Sequence, residues 1–336
     1  MNESLNVEDS VSEARGGRVF PIMGTIFSRY AVALVLVLMC IIFSFTNSGS
    51  FPTLRNAQNV LGDNSILLVL ALGSLIPLVV GEFDLSIGNG VGLCAVVLVV
   101  LTGQHHWPLF PAALVAIGAG LVLGLVNGLL IGYGGISSFI VTLATGTFTL
   151  GMTQLLSNGQ VLFSGIPQEL AAFAQGSFAS IPYISVLAVA LSVIAWLALS
   201  KTILGRRLYA TGLGREQAKL TGVNTRSLVL TAFLTSGFAA SIGGIIVVGR
   251  VGAASPSIGP DYLLPALAAA FLGATVHTPG RFNVIGTIIA ILFVGVGLNG
   301  LQLNGAAFWV QPAFQGAVLA GAVALSRFTL SRVRRN

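Results

Sequence analysis

Charged side chains are missing from one long part of this chain. After Asp84 the sequence runs for 84 residues (85–168) without an Asp, Glu, Lys or Arg, until it reaches Glu169. As a single helix this stretch would extend about 126 Å at 1.5 Å per residue, whereas the hydrocarbon core of a bilayer is roughly 30 Å thick. Polar breaks at 104–108 and 132–135 divide it into three parts. We therefore expect three membrane crossings here, which excludes a soluble protein.

The scarcity of cysteine and the absence of catalytic motifs narrow the range of possible functions. The chain has only two cysteines, Cys40 and Cys94, both in apolar segments and without the spacing of a metal site, so we interpret them as small core residues. It has no G-x-x-x-x-G-K-[ST] phosphate loop and no Ser/His/Asp or Cys/His grouping. We therefore predict a protein that is not an enzyme, has no ATPase motif, binds no metal and holds no cofactor of its own.

What the chain does have is apolar sequence rich in glycine. Hydrophobic residues make up 55% of its 336 residues, glycine accounts for 42 of them, and the mean hydropathy is +0.93. This composition is typical of helices that pack closely in lipid. We predict an all-α, polytopic membrane bundle of about ten transmembrane helices, at 30–46, 65–80, 87–102, 109–131, 137–156, 181–200, 228–249, 263–275, 283–301 and 307–326. A further short helix over 167–175 would lie on the membrane surface, and an ordinary connecting loop is the alternative for this segment.

The distribution of positive charge sets the orientation. If both termini are cytoplasmic, 14 of the 16 Lys and Arg residues lie inside, and only Arg55 and Arg250 lie outside. The positive-inside rule favours this arrangement. The predicted organisation is a cytoplasmic tail (1–29), a transmembrane domain (30–326) that contains a basic loop (201–226), and a basic cytoplasmic tail (327–336).

Two short sequences occur twice. Ser-Ile-Gly at 86–88 returns at 257–259, and Asn-Gly-Leu at 127–129 returns at 299–301. The distance between the copies corresponds to five spans, and an odd number of spans turns the second copy upside down. The pattern is consistent with an inverted repeat, which is common in transporters. Chance matches in a glycine-rich chain are the alternative explanation.

Two carboxylates, Glu82 and Asp84, lie between the second and third spans. Carboxylates at a membrane are costly unless they are paired, hydrated or hydrogen-bonded. Asp84 could line a polar path, or it could cap the next helix by accepting the amides of Ser86 or Ile87, and the capping role is favoured. For Glu82 the sequence does not separate these two roles.

The basic loop contains a patterned segment. Residues 215–222 predict a short amphipathic helix that ends at Gly222, with Leu213, Leu220 and Val223 forming an apolar face. A connecting loop without a binding role would not need this pattern. We therefore expect the segment to dock on a cytoplasmic partner.

Several of these segments together resemble one family. The sequence Gly-Glu-Phe-Asp-Leu-Ser-Ile-Gly at 81–88 is similar to a signature of the permease subunits of ribose-type monosaccharide ABC importers, in the bacterial inner membrane. Further similar segments follow in the same order, at 124–131, 139–145, 204–212, 218–223 and 259–273. Residues 272–281 depart from the family, because they contain fewer glycines than its usual run.

The resemblance implies the partners. They are a separate ABC ATPase subunit that binds ATP and Mg²⁺, an extracytoplasmic sugar-binding protein, and a second permease copy or close homologue. It also implies that the short helix couples to the ATPase, through Arg215, Glu216, Ala218, Lys219 and Gly222.

A sugar path is expected to be neutral and lined by small polar side chains. The candidates are Asp84, Asn127, Thr142, Thr145 and Asn299. Except for Asp84, each could instead join neighbouring helices by hydrogen bonds. An ion- or proton-coupled carrier without an ATPase is the alternative function, but such carriers usually have a charged residue within a span.

Overall fold

The computed structural model describes the backbone of residues 19–333 and the side chains of residues 31–324. The described part is almost entirely helical. Its elements are α1 (Val19–Thr46), α2 (Leu54–Val79), α3 (Ile87–Val99, continued by a π-helical turn, Val100–Gln104), α4 (Leu109–Gly132), α5 (Ser138–Ser157), α6 (Gln168–Gln175), α7 (Tyr183–Lys201), α8 (Ile203–Leu213), α9 (Arg215–Leu220), α10 (Thr225–Val251), α11 (Pro260–Gly273), α12 (Val284–Leu303) and α13 (Val310–Val333). A two-residue hairpin, β1 (Ser177–Phe178) and β2 (Ile181–Pro182), precedes α7.

Each of the ten predicted spans corresponds to a helix. Within the described residues, seven helices are long and apolar enough to cross a membrane, and three shorter apolar segments, Ala31–Thr46, Pro260–Gly273 and Val310–Ala324, complete the set. The prediction of a polytopic helical bundle is confirmed. The orientation of the termini stays a prediction.

Some predicted boundaries are wrong. The second helix begins at Leu54 and not at 65, because Thr53 caps it by accepting the amide of Asn56 at 3.2 Å. α1 begins at Val19, so the end of the predicted 1–29 tail is helical, and α13 continues into the predicted 327–336 tail. The rest of the N-terminal tail, 1–18, and residues 334–336 lie outside the described residues. The short helix predicted at 167–175 is α6, which packs on α10 and α7, and its location at the membrane surface stays a prediction.

Glycine brings two helices into backbone contact at the centre of the bundle. α4 has a glycine at every fourth position, Gly120, Gly124, Gly128 and Gly132, and all four face α10. A Cβ added to Gly120 would lie only 2.5 Å from the carbonyl oxygen of Gly237. Helices in lipid associate through such small residues, since lipid supplies no hydrophobic force between them.

The helices of the bundle fall into a buried group and an exposed group. α2, α3 and α10 are largely buried, whereas α4, α5 and α7 are mostly exposed and carry large apolar side chains on their outer surfaces. α10 packs on α2, α3 and α4, while α11 packs on α2, α12 and α13. This arrangement places the connection between α2 and α3, with its two carboxylates, against the helices of the basic loop.

Candidate substrate path and coupling surface

Asp84 is the centre of a buried polar cluster. Its side chain is 2% exposed, and Oδ1 accepts hydrogen bonds from the amide of Ser86 at 2.9 Å and from the Ser86 hydroxyl at 2.6 Å. The other oxygen, Oδ2, accepts from the hydroxyl of Ser236 on α10 at 2.6 Å. Asp84 therefore joins the start of α3 to α10, and the predicted bond to the Ser86 amide is present.

The cluster continues into α4 and α5. The Asn127 amide nitrogen donates to the Ser86 hydroxyl at 2.8 Å, and the Thr145 hydroxyl donates to the Asn127 side-chain oxygen at 2.7 Å. Thr142 lies one turn earlier on α5, and its hydroxyl accepts the amide of Leu85 at 3.1 Å. These side chains hold α3, α4, α5 and α10 together, so we call Asp84, Ser86, Asn127, Thr145 and Ser236 the Asp84 cluster.

The cluster is saturated with hydrogen bonds. Both carboxylate oxygens of Asp84 have donors, Asn127 uses both ends of its amide, and Asn127 and Thr142 are fully buried. Polar groups in hydrocarbon are costly unless they are paired, and here the partners are the start of α3 itself and the neighbouring helices α4, α5 and α10. Four of the five path candidates thus lie together in a helix contact and do not line the large polar cavity described below.

Glu82 forms an ion pair that the sequence did not indicate. Its carboxylate bonds to the guanidinium of Arg215, the first residue of α9, and both side chains are partly buried. Backbone contact reinforces this junction, because Gly212 of α8 lies directly against the carbonyl of Val79. The short helix of the basic loop is therefore fastened to the segment that carries the Asp84 cluster.

The basic loop forms two helices, where the sequence predicted one. α8 was not anticipated, but α9 ends as expected at Gly222, which has φ +80°, and its amide donates to the Lys219 carbonyl at 2.9 Å. Leu213 and Leu220 are 85% and 88% exposed, whereas Val223 packs on the core. Two exposed leucines beside a charged helix are typical of a surface that docks on another protein.

The five predicted coupling residues have different environments. Glu216 and Lys219 are exposed and pair with each other at 2.7 Å. Arg215 pairs with Glu82, and Ala218 is only 5% exposed. The structure is therefore at odds with Ala218 as a surface contact, because its methyl group packs inward and supports the helix.

A polar cavity of about 420 Å³ lies on the opposite side of the bundle, near the ends of α2, α10 and α12. Asn299 lines it, and this side chain exchanges two hydrogen bonds with Asn56, at 2.9 and 3.0 Å. Arg250 pairs with Asp63 at 3.0 Å on the same wall. The remaining polar lining is Asn64, Asp261, Tyr262, Gln302, Gln311 and Gln315. This volume lies within the roughly 300–1,000 Å³ of small-molecule sites.

The two Ser-Ile-Gly copies meet inside the bundle. Gly88 of α3 and Gly259, which precedes α11, are in backbone contact, and a Cβ added to Gly88 would lie 2.9 Å from the Gly259 carbonyl oxygen. Contact between equivalent points is expected when two halves are related by a pseudo-twofold axis. It supports the inverted repeat, which stays a proposal.

Sequence reasoning missed several site residues. Ser236 is one of several hydroxyl side chains in α10, and nothing along the chain marks it, rather than Thr235 or Ser241, as the partner of Asp84. Asn56 and Asp63 lie ahead of the predicted 65–80 span, although Thr53 offers a capping signal for an earlier helix start. The fourfold glycine spacing of α4 was also a readable signal of close packing.

The geometry defines a multi-pass membrane protein with a charged helix and two exposed leucines on one side and a polar cavity on the other, which is consistent with a transport subunit. A family described as "Branched-chain amino acid transport system / permease component" matches residues 56–323, and the chain belongs to this family.

Named relatives cover nearly the whole chain. The galactose/methyl galactoside import permease of Escherichia coli K12 is 31% identical over 318 residues, covering 90% of this chain and 94% of the relative. The ribose import permease of the same strain is 30% identical over 294 residues, covering 87% and 91%. The D-allose permease of that strain is 27% identical over 301 residues, covering 90% and 92%. No solved structure matches significantly. The resemblance to ribose-type permeases is confirmed.

Proposed function

We propose that this chain is the membrane permease subunit of an ATP-driven importer that moves a monosaccharide or a related small polar solute across the bacterial inner membrane. The observation that carries the proposal is the attachment of α9 to Glu82 through Arg215. A partner that moves α9 would act directly on the segment that leads to Asp84. Leu220 on the outward side of α9 and Leu213 at the end of α8 are exposed and could receive that partner.

The partners follow from this geometry and from the family. An ABC ATPase subunit would dock on α9 and supply the energy, with ATP and Mg²⁺ bound in that subunit and no cofactor held by the permease. An extracytoplasmic sugar-binding protein would deliver the solute on the side of the polar cavity. A second permease copy or a close homologue would complete a dimer.

The relatives named above import or transport galactose, ribose and allose, and the polar cavity suits such solutes. Five of its side chains are amides, Asn64, Asn299, Gln302, Gln311 and Gln315. Amides both donate and accept hydrogen bonds without a net charge, so they match the hydroxyl groups of a sugar. Of the five path candidates, only Asn299 has this position, and we propose it as a contact for the solute.

The alternative, a carrier that works without an ATPase, is not favoured. Such a carrier needs a titratable group that faces a path. The polar cavity does contain carboxylates, Asp63 and Asp261, but the family match and the named relatives are permease components, which supports the ATP-driven importer.

Reconstitution into liposomes separates the two functions. The permease is inserted together with an ABC ATPase subunit and an extracytoplasmic binding protein from the same organism, and uptake of labelled pentoses, hexoses and polyols is measured with ATP supplied to the ATPase. We expect uptake of one monosaccharide class that requires ATP and is unaffected by a protonophore. Uptake that persists without the ATPase and is abolished by a protonophore would establish the carrier instead.

A further inference from the structure

A second polar cavity, of about 170 Å³, lies on the side of the basic loop, and we call it the loop-side pocket. Its walls come from the end of α7, from α8, from the segment that joins α11 to α12, and from the start of α12. The polar and aromatic side chains that line it include Trp196, Ser200, Tyr209, His277, Thr278 and Arg281. None of its lining residues is acidic.

Arg281 is the cation of this pocket. Its guanidinium carbon lies 3.6 Å from the centre of the Tyr209 ring, and the Tyr209 hydroxyl donates to the carbonyl of Phe282 at 2.6 Å. Burial raises the pKa of Tyr209, so the ring remains neutral at physiological pH. Within the part of the chain that the structure describes, Arg281 pairs with no carboxylate. A stacked guanidinium keeps its N–H edges available for a bidentate anion.

Further donors surround Arg281. The Thr278 hydroxyl is buried, and among the described residues it has no hydrogen-bond partner. Val284 and Ile285, the first two residues of the 20-residue helix α12, also line the pocket. The Asn283 side chain already accepts the amide of Gly286 at 2.7 Å. This leaves the amides of Val284 and Ile285, at the positive end of the helix dipole and without intrahelical acceptors, for a ligand. A cation, an unused hydroxyl and a helix N-terminus together form a site for a phosphate group.

The segment 272–281 departs from the glycine-rich run of the family, and the structure shows what the departure provides. His277 has φ +63°, a conformation that glycine adopts freely and other residues adopt at some cost. The chain thus keeps a glycine-like backbone while it places an imidazole on the wall of the pocket. An imidazole N–H is one more donor for an anion.

The residues around the loop-side pocket indicate that a phosphate bound there would belong to a lipid. On α7, the turns next to the pocket expose large apolar side chains, Val189, Val193, Ile194 and Leu197, as expected of a surface in contact with lipid. Trp196 lines the pocket and lies 5.5 Å below the ammonium group of Lys201. Tryptophan and lysine at the end of a span mark the level of the lipid headgroups. The pocket is therefore at headgroup depth and beside the acyl chains.

We propose that the loop-side pocket binds the phosphate of an anionic phospholipid, such as phosphatidylglycerol or cardiolipin, from the adjacent leaflet. Arg281 holds the phosphate, with Thr278 and the start of α12 completing its hydrogen bonds. Because α8 supplies Tyr209 and leads directly into α9, the lipid would tie the base of the docking surface to the membrane. Basic pockets between spans on the cytoplasmic side are known to take such headgroups.

Native mass spectrometry of the full permease in neutral detergent tests the proposal. Phosphatidylglycerol and cardiolipin are titrated, with phosphatidylcholine of the same acyl chains as the neutral comparison. We expect Arg281→Gln to weaken binding of the anionic lipids about tenfold and Thr278→Val about threefold. Arg207→Gln is the matched control, because it removes an exposed cation of α8 that does not line the pocket, and its affinity should equal that of the wild type.

Four outcomes would overturn the proposal. Equal losses in the Arg281 and Arg207 variants would indicate nonspecific attraction to positive charge, and equal binding of phosphatidylcholine would remove the role of the phosphate. Displacement of the lipid by glycerol 3-phosphate at equal concentration would identify a soluble phosphate ester as the ligand. If Arg281→Gln lowers the melting temperature, Thr278→Val decides the question, because its hydroxyl has no partner to lose. Wild-type affinity in that variant then rules the site out.

Discussion

The Asp84 cluster and the polar cavity are both rich in side-chain hydrogen bonds, yet they are organised in opposite ways. In the cluster the polar side chains bond to one another, within the start of α3 and across to neighbouring helices, and the side chains of Asp84 and Asn127 are hidden from solvent. In the cavity the amides of Asn299 and Gln302 border open space. Polar residues in a membrane protein can therefore hold helices together or face a solute. Burial together with hydrogen-bond saturation distinguishes the two.

The largest effect is expected at the centre of the cluster. Asp84→Ala removes the acceptor of two hydroxyls and one amide, and unsatisfied buried groups cost about 1–3 kcal/mol each, so the free energy of unfolding should fall by roughly 3 kcal/mol. Thermal unfolding of the purified protein measures this, and uptake should be lost together with folded protein. Asp63→Ala is the control, because its exposed ion pair at the cavity is worth less than about 1 kcal/mol.

If Asp84→Ala melts like the wild type and only uptake is lost, then the cluster is part of the solute path. The assignment of the Asp84 cluster to helix contacts, and not to the solute path, would then be wrong.

The next largest effect is expected in α9, the helix that we propose links the ATPase to the Asp84 cluster. Gly222→Pro forces φ from +80° to about −65° and removes the amide that bonds to Lys219, so the C-terminal turn of α9 should open. We expect uptake to fall at least tenfold and co-purification with the ATPase to weaken, while the melting temperature of the permease stays within a degree or two, since α9 is peripheral.

Gly222→Ala is the matched control for that variant, because alanine keeps the amide and costs only about 1 kcal/mol at a positive φ. Glu216→Ala should act in the same direction as the proline variant, but more weakly. Unchanged uptake and unchanged co-purification in the proline variant would rule out coupling through this helix.

How much of this the sequence could predict depends on the range of each contact. The ten spans and α9 were predictable because hydropathy, charge and glycine signals act over a few residues. Asp84 and Ser236 are 152 residues apart, and Glu82 and Arg215 are 133 apart. A periodic pattern shows which side of a helix is polar, but it does not show which other helix will face that side.

The candidate residues illustrate the same limit. Asn127, Thr145 and Asn299 look alike in the sequence, because each is a polar residue in an apolar span. Only the packing shows that Asn127 meets Thr145 at 2.7 Å, whereas Asn299 meets Asn56 at the edge of a cavity. The duplicated Asn-Gly-Leu segments therefore place their asparagines in different environments.

A smaller effect is expected at the edge of the cluster. Thr145→Val keeps the shape of the side chain but removes the hydrogen bond to Asn127, which should lower the free energy of unfolding by about 1 kcal/mol. Uptake per expressed molecule should stay near the wild-type value once the amount of folded protein is taken into account. Both quantities can be measured on the same membranes, and a loss of uptake without a loss of stability would move Thr145 into the solute path.

The smallest change in stability is predicted for a residue of the polar cavity, Asn299. Asn299→Ala removes one amide from the cavity wall and leaves Asn56 beside the opening, where water can replace the lost partner, so the melting temperature should stay close to that of the wild type. If the amide contacts the solute, the loss of one hydrogen bond should reduce uptake about threefold at low solute concentration. Asn299→Gln is the matched control and should recover part of the uptake, since it restores the amide one carbon farther out. A fall in melting temperature that matches the loss of uptake would instead make the Asn56–Asn299 pair a helix contact like the cluster, and would place the solute route elsewhere.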